Sequence, residues 1–569
     1  MKRLAAFLLI AVACAGIGWS VFQTAAPGPA AEPFSKYIPA GPLLYIETKD
    51  FSSLLAGWNA SPEEKQWSAS TSYEVFSRSR LFLRLKGAGD QFAAAGGLPP
   101  DMNFLSQVAG DRSALALYDI GKLQFLYITH LPSAKSMQTA LWQTRAKFEP
   151  RSAGNVTFYI RRDPESQREV AFAVSGDYLL LATREDLLAG ALQLMAGGQN
   201  RTVETEQWWS QATSASEHPG DLRMVLNLEK IVPDGYFRTY WVQQNITDLS
   251  HYSAAVSDLF LASKEYREER TLIRKAEPES TPSAESLAAT ADVVRLVQQN
   301  AGTFEAVANP TPDSCFELLR TKLLEPHLGA APGSETAPQV QLTSGETGGG
   351  TDLETRIDQQ AVVQSKLHEK SALEMLFGKT QFRAALQVQS TARDGAGVFV
   401  RTSSAVVLIA DSDWNQAEVQ SAVASFVRPS LTASELGVAW QSKSGYQELD
   451  GLWPLVISVR GSYLLLSDDP AMAEAMLTNF EDKSAQQSAE FFAGFNHDHE
   501  RANFARFAEV VDRPSAVAAS SQDADREPQF FSGTVASLSG SLSAVSAERI
   551  VVRSDKDKVR QTVTYEWSH

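Results

Sequence analysis

The sequence predicts an α+β fold: two similar copies of a mostly antiparallel sheet with packed helices, after one N-terminal transmembrane or signal segment. Three observations carry this expectation. A short block occurs twice, as Gly176-Asp177-Tyr178-Leu179-Leu180-Leu181-Ala182-Thr183 and as Gly461-Ser462-Tyr463-Leu464-Leu465-Leu466-Ser467-Asp468, 285 residues apart. Strand and helix patterns around each block recur in the same order. Finally, Lys2 and Arg3 precede a charge-free apolar run from Leu4 to Phe22, 19 residues long.

A helix of that length, at about 1.5 Å per residue, just spans a bilayer core of roughly 30 Å. Basic residues ahead of it hold that end in the cytoplasm and send the rest across. The expected location is therefore an inner-membrane anchor with the body extracytoplasmic, in the periplasm. Cleavage near Thr24-Ala25-Ala26 or Gly28-Pro29-Ala30 would instead release a periplasmic protein. Ala11-Val12-Ala13-Cys14 also resembles a lipobox, which would make a lipoprotein at Cys14.

Beyond an Ala- and Pro-rich tether, Leu43 to Thr48 reads as a strand and Phe51 to Trp58 as the start of a helix. Ser113 to Ile120 and Leu123 to Thr129 flank Gly121-Lys122, a two-residue hairpin loop. Pro132-Ser133 opens a helical pattern with Met137, Leu141 and Phe148 on one face, and strands follow at Val156 to Ile160 and Val170 to Val174. Thr183 with Asp186 reads as a capping box for a helix striped by Leu188, Ala191, Leu192 and Met195. Leu222 to Leu228 is a further strand, and Tyr252 to Lys275 reads as a helix followed by the strand-like Glu269 to Ile273.

In the second half, Phe382 to Gln389 and Val398 to Ala410 supply the hairpin, and Val419, Ala422, Val423 and Phe426 stripe the next helix. Val456 to Val459 leads into the second block. Asp468, Asp469 and Pro470 then start another helix. Asn503 to Phe507 sits where Met224 to Leu228 did, and Ile550 to Arg553 and Val559 to Trp567 close the chain. The expected layout is 1–32 anchor and tether, 33–275 first repeat, 276–296 linker and 297–569 second repeat with a disordered insertion at 329–352.

Charge narrows the function classes. A net charge of -16 argues against nucleic acid and against electrostatic adhesion to anionic lipid. Cys14 and Cys315 are the only cysteines, so the exported body has no internal disulfide framework, and Cys315 beside Phe316 and Leu318 reads as a small core residue. Gly345 to Gly350 precedes Thr351-Asp352 rather than Lys-Ser/Thr, so it is a loop and not a phosphate cradle. No Gly-x-Ser-x-Gly elbow, dinucleotide fingerprint or EF-hand loop occurs, and no cofactor is expected. His497-Asp498-His499-Glu500 is the densest set of ligand-type side chains, with His497 and His499 as weak metal candidates. Two imidazoles two residues apart share a face only on a strand, and the zincin spacing fails because Asn503 stands where the second His belongs. A solvated polar turn is the simpler expectation. The aromatic clusters Trp208-Trp209 and Tyr236 to Trp241 suit core packing, or the lining of a groove.

The opening Ile38-Pro39-Ala40-Gly41-Pro42-Leu43-Leu44-Tyr45-Ile46-Glu47, the Gly-Asp-Tyr-Leu-Leu-Leu block and the lone export segment resemble a bacterial exported, membrane-tethered family known only as a domain of unknown function. That resemblance implies an envelope location and repeated strand–helix units, and brings no catalytic residues. The leading expectation is a non-enzymatic envelope protein that binds a partner protein or scaffolds. An exported hydrolase with a site assembled from distant residues, and a carrier for lipid or another apolar ligand, are the alternatives.

Overall fold

A computed structural model describes residues 32–69, 71–216, 218–240, 243–278, 281–324, 371–393, 400–431, 439–449, 454–480, 487–501, 503 and 545–567. The anchor run, the 329–352 insertion and the polar stretch 512–528 lie outside them. Among the described residues no helix is long and apolar enough to cross a membrane. The chain divides into two compact units, one of residues 1–281 with 504–569 and one of residues 282–503.

The first unit contains β1 (Leu44–Thr48), β2 (Arg112–Asp119), β3 (Gln124–His130), β4 (Glu149–Ala153), β5 (Val156–Arg162), β6 (Glu169–Ser175), β7 (Tyr178–Ala182), β8 (Leu222–Asn227), β9 (Tyr252–Leu261) and β10 (Glu265–Arg274). They pair antiparallel in the order β4-β5-β6-β7-β3-β2-β1-β8-β9-β10. Helices cover both faces. On one, Leu188, Ala191 and Leu192 of the Glu185–Met195 helix and Trp208, Trp209 and Ala212 of the Gln207–Ser214 helix pack on Tyr45, Ala116, Ile128 and Leu180. On the other, Phe92 and Ala95 of the Arg80–Gly96 helix and Phe104 of the Met102–Val108 helix pack with Tyr127, Phe172, Leu179 and Leu181. This explains the unbroken Leu179-Leu180-Leu181 run: successive side chains point to opposite faces, and both faces are dry. Gly176 adopts φ 57°, a left-handed conformation that a side chain would strain, at the turn between β6 and β7.

The second unit contains β11 (Thr303–Ala308), β12 (Phe382–Arg393), β13 (Val400–Ala410), β14 (Trp440–Ser442), β15 (Gln447–Leu449), β16 (Leu455–Arg460), β17 (Tyr463–Ser467) and β18 (Phe491–Asn496). These pair antiparallel in the order β14-β15-β16-β17-β13-β12-β11-β18. Cys315 and Leu319, Phe377, and Val419 and Val423 come from three helices and pack on Ala385, Val406, Leu408, Leu464 and Leu466. The Pro470–Asn479 helix is capped by Asp469, whose side chain accepts from the N–H groups of Ala471 and Met472, with Pro470 in its first turn.

The remaining strands, β19 (Val545–Ser554) and β20 (Lys558–Trp567), form a hairpin, and β20 pairs with β10. Residues 545–567 therefore extend the sheet of the first unit, and the expected second repeat does not run to 569. The expected linker at 276–296 holds the Ala284–Val294 helix, capped by Ser283 and packed on β11 and β12. Tyr252–Leu261 is strand β9 rather than a helix; Ala254 and Val256 face one core while neighbours on both sides supply its hydrogen bonds. The Thr183–Asp186 capping box does not form. Thr183 Oγ1 instead accepts from the Phe125 N–H at 2.8 Å, Arg184 occupies the cap position, and Asp186 pairs with Arg184. The strand expected at Asn503 to Phe507 is β18, twelve residues earlier by its first residue, and Asn503 is helical.

Candidate functional site

The one sequence-level candidate falls at the end of β18. Asn496 closes that strand, and its side-chain oxygen accepts from the His499 N–H at 3.1 Å, which starts a helical turn over 497–501. On a helix, residues two apart point about 200° away from each other, so His497 and His499 diverge. His497 packs on the Phe495 ring, with centroids 4.5 Å apart. Among the described residues no three His, Cys, Asp or Glu side chains are grouped to hold a metal ion.

What the turn does position is Glu500, buried rather than solvated. Its carboxylate accepts from the Thr391 N–H at 3.1 Å and the Thr391 hydroxyl at 2.5 Å, and His499 Nδ1 lies 3.0 Å from the same carboxylate. Asn503 Nδ2 donates to the Thr391 hydroxyl at 2.8 Å and its carbonyl at 3.2 Å, so that hydroxyl is used as both donor and acceptor. Gly302 makes room: a Cβ there would land on the Glu500 carboxylate. The pair fixes the orientation of the His499 ring, as a carboxylate does wherever an imidazole must be aimed. Chemically it is a held imidazole whose carboxylate is already committed to the fold.

Two further polar clusters lie on one face of the first unit. Glu47 accepts from Arg112 Nη2 at 2.9 Å and from the Tyr45 hydroxyl at 2.6 Å. Burial, with the Glu47 charge beside it, pushes that hydroxyl well above the ordinary tyrosine range, so it stays protonated and donates to Glu47. Arg112 also lies over the Phe34 ring at 4.9 Å. Across the sheet, Asp258 is fully buried and accepts from Arg223 Nε at 2.7 Å, Arg223 Nη2 at 2.8 Å, the Ser216 hydroxyl at 2.5 Å and the Gly220 N–H at 2.9 Å. On the opposite face, buried Glu268 is gripped by Arg270 and Ser257 at 2.5 to 2.6 Å. Tyr45 and Arg270 lie two residues from the carboxylates they serve, while Arg112 is 65 residues from Glu47 and Arg223 is 35 from Asp258; for Glu47 and Asp258 the signal was an acid inside an otherwise apolar strand.

Of the aromatic clusters, Trp208 and Trp209 are core, with Trp209 edge-on to Tyr45 at 4.9 Å. Tyr236 is exposed, and Trp241 lies outside the described residues. Cys315 is buried, and burial pushes its thiol up to about 12, which leaves it protonated and unreactive.

No protein-family model matches the chain, and no curated protein matches it. Three solved structures of TP0453 are similar to parts of it. Crystal form IV is 11% identical and covers 43% of this chain and 81% of that one, at a TM-score of 0.22. Form III is 9% identical, with 46% and 87% covered at 0.23, and form I is 10% identical, with 45% and 82% covered at 0.24. Likeness at this level identifies neither a family nor an activity.

Proposed function

We propose that this is a non-enzymatic cell-envelope protein, anchored by the run from Leu4 to Phe22 with its body outside the cytoplasm, that holds a partner protein or apolar ligand. The observation that carries the non-enzymatic part is the state of three of the four buried carboxylates among the described residues, the fourth being Asp468, which accepts from the Ser404 N–H. Asp258, Glu268 and Glu500 each accept from two or more protein groups, so their lone pairs are spent on the sheet. General acid–base work needs a carboxylate free to reach a substrate.

The body is read as two copies of one unit, on three supports. The order β4-β5-β6-β7-β3-β2-β1-β8 matches β14-β15-β16-β17-β13-β12-β11-β18 strand for strand. Asn227 and Asn496 end equivalent strands; each donates its N–H to the carbonyl before the first strand of its unit, Leu43 or Gly302, and each caps the N–H three residues on. The second residue of each repeated block, Asp177 or Ser462, gives its carbonyl to the N–H of Leu131 or Ala410. In this alignment Glu500 stands where the first copy has the buried Ile231.

The test is export. A phosphatase that is active only outside the cytoplasm, fused after His569, is expected to be active and to stay with membranes after alkaline carbonate washing. Activity confined to a cytoplasmic reporter at the same position would overturn the envelope reading.

A further inference from the structure

The last hairpin of the chain repeats the hairpin it pairs with. A shift of 293 residues carries β9 onto β19 and β10 onto β20, end to end. At that shift Ser253 matches Ser546, Ala254 matches Ala547, Arg267 matches Arg560 and Thr271 matches Thr564. Each hairpin slips register once and at the same place, between Ile273 and Arg274 and between Val545 and Ala547, skipping Ser253 in one and Ser546 in the other. Each turn closes in the same way, by the Ala262 N–H on the Glu265 carbonyl at 2.9 Å and the Asp555 N–H on the Lys558 carbonyl at 2.7 Å.

The contact between the two hairpins is reciprocal. Glu269 faces Thr562, its own counterpart at the 293-residue shift. Away from that centre the pairs come in matched twos: Arg267 faces Thr564, and Thr271 faces Arg560. At the two ends the Arg274 N–H donates to the Asp557 carbonyl at 2.8 Å and the Trp567 N–H to the Lys264 carbonyl at 3.1 Å, again counterpart for counterpart. A surface on which i meets j while j meets i is what two identical chains make about a two-fold axis. Here one chain supplies both sides.

We propose that the β10–β20 pairing is a homodimer contact held inside one chain, and that the edge of β10 also fits β10 of a second copy of this chain, paired about Glu269. The proposal rests on the two-copy reading above and adds a partner to it. Two β10 strands in this register place Arg267 against Thr271 twice, the same pairs that β10 already makes with β20. They also set Glu268 against Arg270 twice, charge against opposite charge. The unfavourable pair is Glu269 against Glu269, at a position 49% exposed and already beside its own Arg267 at 3.2 Å. Thr562 spares the chain that repulsion, so its own hairpin takes the edge first. Once β20 leaves, β10 is an open edge of N–H and carbonyl groups, and a second copy can take it.

The experiment uses the whole chain in detergent, with Cys14→Ser throughout; Cys315 is buried and does not cross-link. A cysteine at 269 meets itself only in the proposed dimer. One at 267 stands about 13 Å from its copy there, beyond the roughly 7 Å that a disulfide spans. The hairpin is detached in two ways: by Val563→Pro with Thr564→Pro, whose N–H groups point to opposite neighbours, or by cutting the folded chain at a protease site placed after residue 528. The cut chain leaves the strand sequences intact should the prolines unfold the sheet, and the prolines serve should the cut hairpin stay bound. On oxidation, Glu269→Cys should give about tenfold more covalent dimer than Arg267→Cys, and an excess of the free 529–569 fragment should suppress it. No dimer at 269 by either route, equal dimer at 267 and 269, or a dimer indifferent to the fragment overturns the proposal. In the uncut chain, Glu269→Cys with Thr562→Cys should close a disulfide within one chain. Its failure would remove the β10–β20 pairing and the two-copy reading of the hairpins with it, whereas its success without a 269 dimer would sink only the second-copy partner.

Discussion

Arg223 and Asp258 stand opposite each other on β8 and β9 and form a two-pronged pair, Nε to Oδ1 at 2.7 Å and Nη2 to Oδ2 at 2.8 Å. Asp258 has no exposed side-chain surface and Arg223 has 13%. Removing one partner from such a pair strands the other charge away from water. Asp258→Ala should cost about 3–5 kcal/mol, read as a lower urea midpoint. Replacing both by apolar residues of similar volume should recover most of that loss. Equal losses in the single and double variants would show that packing, not the stranded charge, sets the cost.

Gly302 and Glu500 make a second test. An alanine at 302 meets the Glu500 carboxylate, so Gly302→Ala should destabilise by about 1–3 kcal/mol. Glu500→Ala removes the obstacle, and the double variant should be more stable than the sum of the two single losses predicts. Strict additivity in a double-mutant cycle would disprove the contact.

The alkaline limb of stability draws on several buried groups whose burial favours the neutral form, Tyr45 and Tyr118 among them, and two of these titrate within reach of experiment. Burial raises the Cys315 thiol from 9.0 to about 12 and the Tyr127 hydroxyl from 10.0 to about 12. Folding therefore favours their neutral forms. That contribution is complete below about pH 9 and is lost as pH rises through about 12. Urea midpoints measured from pH 8 upward should fall across this window, and Cys315→Ala should flatten the early part of the fall. An unchanged slope in that variant would remove the thiol from the account.

Asp469 supplies the cap of the Pro470–Asn479 helix through two N–H groups. Asp469→Ala should cost about 1 kcal/mol, with Asp469→Asn costing less because the amide oxygen can still accept. Identical losses for the two would point to the Ser403 hydroxyl, held at 2.7 Å by the other carboxylate oxygen, as the more important partner.

The repeated block, the strands of the hairpins and the Asp469–Pro470 helix start were legible because each is set by neighbours in sequence: an apolar run bounded by glycine, a glycine-bearing turn, a cap. The Gly121-Lys122 loop, expected as two residues, is instead the four residues 120–123, with Leu123 at φ 49° between the paired Asp119 and Gln124. Strand β9 was not. Ala255 and Leu259 stand four apart, as on a helix, and pairing with β8 and β10 overrides that local pattern. The capping box at Thr183 failed for a related reason, since the hydroxyl found a better use on the Phe125 amide of a neighbouring strand. At the candidate site, adjacency made His499 and Glu500 visible, while Thr391, 109 residues from Glu500, carried no local mark. Composition suggested a solvated turn there because it counts charges and cannot see that a glycine elsewhere has cleared space for one of them.

Strand β10 waits for β20, and the hydrogen bond between Arg270 and Gln561 joins residues 291 apart. During synthesis, residues 282–503 emerge as an unbroken stretch and can fold as they appear, whereas the first unit stays one hairpin short until residues 545–567 are made. The part that starts first thus finishes last. Ribosome-stalled chains ending before residue 545 should leave β9 and β10 open to protease while the second unit resists it. Premature termination near the end of the message would then damage the half encoded at its beginning.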